Sequence, residues 1–129
     1  MPEPLIWNLI IDCFGRCGDL SKAFSIKDQM LANDVQPNVY TYNALVHAHV
    51  KGGNIRDAYS LKQEMCLYGI CPDVVTYNLL IGAACNLGQI DSALQLRDEM
   101  LRLGCEQDKI TYTELIRGHI IRGNVRKAE

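Results

Sequence analysis

Long apolar runs, runs of like charge and low-complexity tracts are all missing from this chain of 129 residues. No stretch approaches the ~20 apolar residues of a membrane-spanning helix, and the N-terminus lacks the basic and apolar regions of a signal peptide. The formal net charge of -2 argues against a protein that coats nucleic acid by bulk positive charge, although it leaves room for a local basic stripe. Composition therefore indicates a globular chain without a disordered linker.

Paired Cys-x-x-Cys motifs are absent as well, although the chain has six cysteines: Cys13, Cys17, Cys66, Cys71, Cys85 and Cys105. Their irregular spacing favours reduced thiols in a helical core over a zinc site or a disulfide framework. The three histidines, His47, His49 and His119, have no recurring set of carboxylates or cysteines beside them and are interpreted as helix-face residues. We find no nucleophile, base and orienter set and no phosphate loop, so we expect no enzyme activity, metal or cofactor.

What the chain does contain is a repeat with a period of 35 residues. An aromatic column is followed by a polar column: Trp7, Tyr42, Tyr77 and Tyr112, then Asn8, Asn43, Asn78 and Thr113. Columns of glycine, alanine and methionine keep the same spacing: Gly18, Gly53, Gly88 and Gly123; Ala23, Ala58, Ala93 and Ala128; Met30, Met65 and Met100. The repeats run over residues 4–38, 39–73 and 74–108, with an incomplete one at 109–129. Such units cannot close a core alone and must stack.

Each repeat has the pattern of a helical hairpin. In the second repeat Tyr42, Leu45, Val46 and His49 lie at i, i+3, i+4 and i+7, which is one face of an α-helix. The glycine of each repeat, Gly123 included, is expected to end this first helix, and Asp19, Asn54, Gln89 and Asn124 are the candidates to cap the second. The methionine and aromatic columns are predicted to be core. The predicted fold is an all-α α-solenoid of stacked antiparallel helix-turn-helix repeats.

These motifs resemble the pentatricopeptide repeat of the P-type subclass. The resemblance rests on Tyr-Thr-Tyr-Asn at 40–43, Val-Thr-Tyr-Asn at 75–78, the central glycine, Gln-Met or Glu-Met late in the second helix, and the closing Pro-Asn or Pro-Asp. The related tetratricopeptide repeat has a 34-residue period and lacks these signatures. The resemblance covers nearly the whole chain, as about 3.5 repeats.

The resemblance implies recognition of single-stranded RNA, one base per repeat, by the fifth and the last residue of each repeat. The matching pairs are Asn8 with Asn38, Asn43 with Asp73, and Asn78 with Asp108, while Thr113 has no partner. By the family's code this array reads 5′-C/U-U-U-purine-3′. Asn and Asp could instead serve only as helix caps, but capping explains the recurring Asn poorly. Each fifth position lies ~100° from the aromatic stripe and is expected to face outward.

The resemblance also assigns roles to two further positions. The second residue of each repeat is expected to flank the bases, and these residues are Leu5, Tyr40, Val75 and Ile110. Tyr40 departs from the usual aliphatic residue and is expected to be tolerated. The basic residues near phosphate at position thirteen are Arg16 and Lys51, so phosphate contacts are few and the salt dependence of binding is expected to be shallow.

A cation recurs in the second helices at Lys27, Lys62 and Arg97, where the family often has an apolar residue. We interpret these side chains as stems that cover apolar surface and reach nearby acids such as Asp28, Glu64 and Asp98. A basic outer ridge that binds a partner is the alternative.

The predicted function is sequence-preferring single-stranded RNA binding without catalysis, in organellar RNA processing, stability or translation. The alternative is an α-solenoid scaffold that binds protein or self-associates through the open ends of its stack. Both ends fall inside a repeat, so a fragment of a longer array is expected. The family setting implies chloroplast or mitochondrion, and no membrane partner is expected.

Overall fold

The computed structural model of the protein describes the backbone of residues 4–128 and the side chains of residues 6–123. Seven helices and no strand occur in this range: α1 (Pro4–Arg16), α2 (Leu20–Ala32), α3 (Val39–Lys51), α4 (Ile55–Leu67), α5 (Val74–Asn86), α6 (Ile90–Arg102) and α7 (Lys109–Ala128). None of the helices within these bounds is long and apolar enough to cross a membrane. The helices α1, α3, α5 and α7 start at the first residue of each 35-residue period.

The turns inside the first three hairpins depend on glycine. Gly18, Gly53 and Gly88 have φ values of 82°, 81° and 73°, a backbone region that residues with a side chain rarely adopt. Each glycine stands just after a first helix, as predicted. Asp19 then caps α2 by accepting a hydrogen bond from the backbone N–H of Lys22 at 3.2 Å. The equivalent residues of α4 and α6, Asn54 and Gln89, make no such side-chain bond.

The prediction that Gly123 ends a first helix and Asn124 begins a second one is wrong. The helix α7 continues through both positions to Ala128. Each of α2, α4 and α6 is held by a fully buried alanine and a fully buried methionine. A glycine inside a helix costs only about 1 kcal/mol relative to alanine, whereas ending α7 at Gly123 would require nucleation of a new helix.

The chain divides into two compact units, Met1–Pro72 and Asp73–Glu129. In the first unit α1 packs against both α2 and α3, and α3 packs against α4. The contact between α1 and α3 is close, since a Cβ added at Gly15 would lie 2.9 Å from the Cβ of Ala48. Among the described helices of this unit, α2 and α4 make no close backbone contact with each other.

In the second unit α5 packs against both α6 and α7. Here the close approach is between Gly118 on α7 and Cys85 on α5. A Cβ at Gly118 would overlap the Sγ of Cys85 and lie 2.9 Å from its Cβ. The glycine is therefore required by packing and not by backbone conformation.

The predicted core is confirmed for the methionine column, whose members Met30, Met65 and Met100 are all fully buried. In the aromatic column Tyr42 and Tyr77 are buried, and Trp7 is half-buried. The prediction is wrong for Tyr112, which is 55% exposed because no described helix covers that face of α7.

The prediction that the recurring cation reaches an acid is confirmed at two of its three positions, Lys27 and Arg97. Lys27 Nζ donates to Glu64 Oε2 at 2.8 Å, and only 12% of the lysine side chain is exposed. The ammonium also lies 5.6 Å from the centre of the Tyr42 ring. Arg97 is paired with Asp98 at 3.2 Å.

Candidate nucleic-acid interface

A cluster of side-chain hydrogen bonds in the first unit joins the fifth residue of the first repeat to the last residue of the same repeat. Asn8 Nδ2 donates to Asn38 Oδ1 at 3.1 Å. The other end of the same amide, Asn8 Oδ1, accepts from the hydroxyl of Thr41 at 2.5 Å. The cluster thus combines one residue of α1, one of the loop before α3 and one of the first turn of α3.

The second unit contains the same cluster 70 residues further along. Asn78 Nδ2 donates to Asp108 Oδ1 at 3.0 Å, and Asn78 Oδ1 accepts from the hydroxyl of Thr111 at 2.5 Å. The two clusters differ in one residue only, because the last position is an amide in the first and a carboxylate in the second.

The last-position residue also caps the following helix. The backbone N–H of Thr41 donates to Asn38 Oδ1 at 3.1 Å, and the backbone N–H of Asn38 donates to Thr41 Oγ1 at 3.1 Å, which together form a capping box on α3. The same box recurs on α5 and on α7, with Asp73 and Thr76, and with Asp108 and Thr111. Capping of the next helix is therefore a second role of this position.

The expectation that the fifth position faces outward is wrong for the three asparagines, although Thr113 is exposed. Asn8, Asn43 and Asn78 keep only 9%, 7% and 7% of their surface. For Asn8 and Asn78 the reason is visible in the clusters, since each amide lies under the N-terminal turn of the next first helix and is bonded there. Asn8 and Asn78 therefore have a structural role besides any helix capping, because each bonds its own first helix to the next one.

The remaining candidates of the base-reading columns lie at different places. Asn43 is buried on α3, in the first unit, and Asp73 stands before α5, in the second. Thr113 is exposed on α7, where its hydroxyl donates to the carbonyl oxygen of Lys109 at 2.8 Å.

The second-position residues form an exposed apolar set. Tyr40 is 68% exposed, Val75 49% and Ile110 57%, and each lies in the first turn of a first helix, two residues after the last-position cap. Leu5, the first member of the column, lies outside the residues whose side chains the structure describes. Exposed apolar side chains beside polar groups form a surface on which flat rings can stack.

The two basic residues predicted near phosphate end neighbouring helices. Arg16 is the last residue of α1 and pairs with Asp12 at 3.0 Å, with 68% of its side chain exposed. Lys51 ends α3, and its ammonium donates to the carbonyl oxygen of Arg16 at 3.4 Å. Both residues are exposed, and the ammonium of Lys51 lies at the C-terminal end of α1.

The carboxylate of Asp108 is stabilised in its charged form. The backbone N–H of Thr111, and after it the amide of Asn78, hold the pKa of Asp108 below its ordinary value. A carboxylate that accepts several hydrogen bonds stays ionised. At neutral pH the second cluster therefore presents a negative oxygen where the first presents an amide.

Sequence reasoning missed the threonine column of Thr41, Thr76 and Thr111 as functional candidates. All three are fully buried third residues of their repeats. The signal was present, because the column keeps the 35-residue period between the second position and the aromatic column. Within the described residues, no group of three or more His, Cys, Asp or Glu side chains is placed to hold a metal ion.

Three family profiles match this chain. Residues 72–121 match the PPR repeat family, residues 25–87 the pentatricopeptide repeat domain, and residues 5–35 the PPR repeat. The chain therefore belongs to the pentatricopeptide repeat family. Among curated proteins, no sequence matches it.

Solved structures of pentatricopeptide repeat proteins share the fold. The crystal structure of PPR10 in complex with an 18-nt psaJ RNA element is 28% identical, covers 92% of this chain and 18% of that one, and has a TM-score of 0.82. PPR10 from maize is 23% identical over 99% of this chain and 19% of that one, with a TM-score of 0.78. The PPR domain of Arabidopsis thaliana PRORP1 in complex with tRNA is 21% identical, covers 97% of this chain and 66% of that one, and has a TM-score of 0.75. The predicted fold class, an all-α solenoid of helical repeats, is confirmed.

Proposed function

We propose that this chain binds single-stranded RNA and reads one base per repeat through the fifth and last positions. The observation that carries the proposal is the pair of matching clusters, Asn8 with Asn38 and Asn78 with Asp108, each fixed by hydrogen bonds in one orientation. The RNA-bound structure of PPR10, whose fold this chain shares, supports the same partner. The chain spans only 18% of the length of PPR10, so RNA binding by this chain is a proposal and is not carried over from the whole of PPR10.

The fifth-position amide keeps groups that can meet a base. A side-chain amide has two N–H donors and two lone pairs on oxygen. In each cluster the described contacts use one N–H and one lone pair of the Asn, so they leave one donor and one acceptor of the amide for a base. The N–H can donate to O2, which both pyrimidines carry, so this position favours pyrimidines.

The last position distinguishes the two pyrimidines. Because Oδ1 of Asn38 is engaged by Asn8 and by the N–H of Thr41, its other atom is the donor Nδ2, which suits the acceptor N3 of cytosine. In Asp108 the other atom is a second carboxylate oxygen, which suits the N3–H of uracil. Read from the N-terminus along RNA from 5′ to 3′, the repeats favour C or U, then U with Asn43 and Asp73, then U, then a purine with Thr113.

The exposed residues around the clusters complete the site. Tyr40, Val75 and Ile110 supply flanks for the bases, and Arg16 and Lys51 supply charge for phosphate. Stacking contributes about 1–3 kcal/mol per base before ordering costs, so three or four bases give affinities in the micromolar to millimolar range. We place this activity in a chloroplast or mitochondrion and propose that it acts by occupying a transcript, without catalysis.

A reciprocal exchange at the last position tests the proposal. Fluorescein-labelled single-stranded RNAs carrying CUUA, UUUA, CUCA or UUCA are titrated at low salt against the wild type, Asn38→Asp and Asp108→Asn. We expect the wild type to prefer CUUA, Asn38→Asp to prefer U at the first base, and Asp108→Asn to prefer C at the third. Each change in preference should be about five- to tenfold and confined to its own base.

Each variant serves as the control for the other, because the two substitutions are the reverse of one another in equivalent repeats. The proposal fails if the wild type shows no preference among these RNAs, or if both variants lose affinity equally for all of them.

A second candidate function, a scaffold that self-associates, is favoured by exposed apolar side chains on α1 and on α7. Leu9 on α1 is 60% exposed, and Ile116 and Ile120 on α7 are 61% and 58% exposed. Head-to-tail contacts between copies would bury such faces. Sedimentation velocity over a range of protein concentrations tests this, with Ile116→Glu expected to yield a monomer if α7 is the contact and to leave the sedimentation unchanged if it is not.

A further inference from the structure

The threonine that ends each capping box, at the third residue of the helix, lies between the two base-reading residues. Thr111 is fully buried and contacts Asp108 on one side and Asn78 on the other. Thr41 is equally buried and contacts Asn38 and Asn8 in the same way. A residue of the following repeat is thus part of the site of the preceding one.

The direction of every hydrogen bond in the cluster follows from two backbone N–H groups, which can only donate. The N–H of Thr111 points at Asp108 Oδ1, so this atom must be an acceptor. The N–H of Asp108 points at Thr111 Oγ1, so this oxygen accepts there and its own hydrogen is left to donate. The nearest acceptor for that hydrogen is Asn78 Oδ1 at 2.5 Å, ahead of Asp108 Oδ1 at 3.0 Å.

The orientation of the Asn78 amide is then determined at both ends. Its oxygen faces the donating hydroxyl of Thr111, and its nitrogen faces the accepting oxygen of Asp108. Rotating the amide by half a turn would place oxygen against oxygen at Asp108 and N–H against the hydroxyl hydrogen at Thr111. Without the hydroxyl, one of these two restraints disappears.

We propose that the third-position threonine is a positioning residue that sets the base preference of the preceding repeat. Thr41 orients Asn8 for the first base, and Thr111 orients Asn78 for the third. This inference rests on the proposed RNA-binding function and adds a residue that itself contacts no base. It differs from a capping role alone, because capping needs the backbone N–H and any acceptor, whereas orientation needs a hydroxyl that also donates.

Valine and serine substitutions separate the two roles. Thr111→Val keeps the shape and the backbone N–H but removes the hydroxyl, so it takes away one bond of the capping box as well as the bond to Asn78. Thr111→Ser keeps the hydroxyl, and the readout that separates the two roles is base preference and not stability. In RNA titrations with U or C at the third base, we expect Thr111→Val to lower the U-to-C preference about five- to tenfold and Thr111→Ser to retain it. The preference at the first base should stay unchanged in both.

A second arm needs no RNA. Side-chain amide signals of Asn78 in NMR spectra report its hydrogen bonds directly. We expect the exchange of these amide protons with solvent to be about tenfold faster in Thr111→Val than in the wild type, and close to wild type in Thr111→Ser. Thr41→Val with Asn8 provides the same test in the first unit, so the proposal stays testable if one valine variant fails to fold.

The outcomes separate this inference from the function on which it rests. If the wild type binds RNA with the expected preference and Thr111→Val keeps that preference, the positioning role is wrong and the function stands. An equal loss of affinity for every RNA in Thr111→Val also overturns it, since that result indicates a cap alone. If the wild type shows no base preference, the proposed function fails, and unchanged Asn78 exchange in Thr111→Val would then overturn the positioning role independently.

Discussion

Lys27 Nζ and Glu64 Oε2 lie 2.8 Å apart and join two second helices that have no close backbone contact with each other among the described residues. The ion pair stands where an apolar contact is usual in such repeats. Burial alone raises the pKa of Glu64, but hydrogen bonds from Lys27 and Tyr42 bring that pKa below its ordinary value. The same network, with burial as its largest cause, holds the pKa of Tyr42 well above the ordinary value of 10.0.

Replacing one partner of this ion pair should lower the free energy of unfolding more than replacing both partners. We expect Lys27→Leu to lower the free energy of unfolding by about 1–3 kcal/mol, because Glu64 is left partly buried without its cation. Lys27→Leu with Glu64→Leu should be near neutral, since an apolar pair of similar size avoids the desolvation cost. Urea denaturation of both single variants and the double variant measures the coupling, and additive effects would show that the pair is only a surface contact.

Two glycines of α7 should respond in opposite directions to the same substitution. Gly118→Ala is expected to destabilise the protein by about 1–3 kcal/mol, since the added methyl overlaps Cys85. Gly123→Ala should stabilise it by about 0.5–1 kcal/mol, because a Cβ there meets nothing within 4 Å and alanine favours the helix. Thermal unfolding compares the two, and Cys85→Ala should restore part of the stability in the Gly118→Ala background. Equal effects at both positions would contradict the packing described for α5 and α7.

His49 should make the protein less stable in mild acid. Its ring packs 4.7 Å from that of Phe24, its Nδ1 is buried without a described partner, and it lines a cavity of about 310 Å³ with Asp57 and Leu61. Burial lowers the pKa of His49, and the charge of Asp57 opposes this only in part. The unfolded chain therefore binds more protons just below pH 6.5, so stability falls as pH drops through that range.

Denaturation midpoints at about pH 7 and about pH 5 measure this loss of stability. The matched variant is His49→Ala, since alanine occupies the same column of the next repeat at Ala84. Its midpoint should change less between the two conditions. An unchanged pH dependence would assign the effect to another group.

Asp108 should titrate below its ordinary value of 3.8. The folded pKa is lowered, so the stability contributed by the carboxylate is complete above the ordinary value and is lost as pH falls through the lower folded value. The carboxyl signal in a ¹³C NMR titration reports the midpoint. Asn78→Ala should move that midpoint upward without restoring 3.8, because the N–H of Thr111 remains. A midpoint that does not move would show that the amide contributes nothing to the charged form.

The period of 35 residues was enough to predict the hairpins, the glycines after the first three first helices and the buried methionines. It was not enough at Gly123, because a column shows only that glycine is allowed at a turn, and a glycine can also stand inside a helix, as it does in α7. It failed at Tyr112 because burial depends on the neighbour that covers a face and not on the residue alone.

The candidate site shows a similar limit. Columns in the sequence identified Asn8, Asn38, Asn78 and Asp108, and helical geometry suggested that the fifth position points outward. The geometry of one helix does not include the next helix, whose first turn covers that position and binds it through Thr41 or Thr111. The sequence columns therefore predict which side chains form the site, but the hydrogen bonds that orient them depend on how one first helix packs on the next.

The capping boxes also determine where such an array can be divided. The cluster around Asn8 draws its three side chains from both sides of the boundary between residues 38 and 39, so cutting there separates Asn38 from the threonine that holds it. A cassette for grafting a base preference into another array should therefore run from the fifth residue of one repeat to the third residue of the next, as in residues 8–41 or 78–111. The transferable module is offset from the repeat that the sequence period defines.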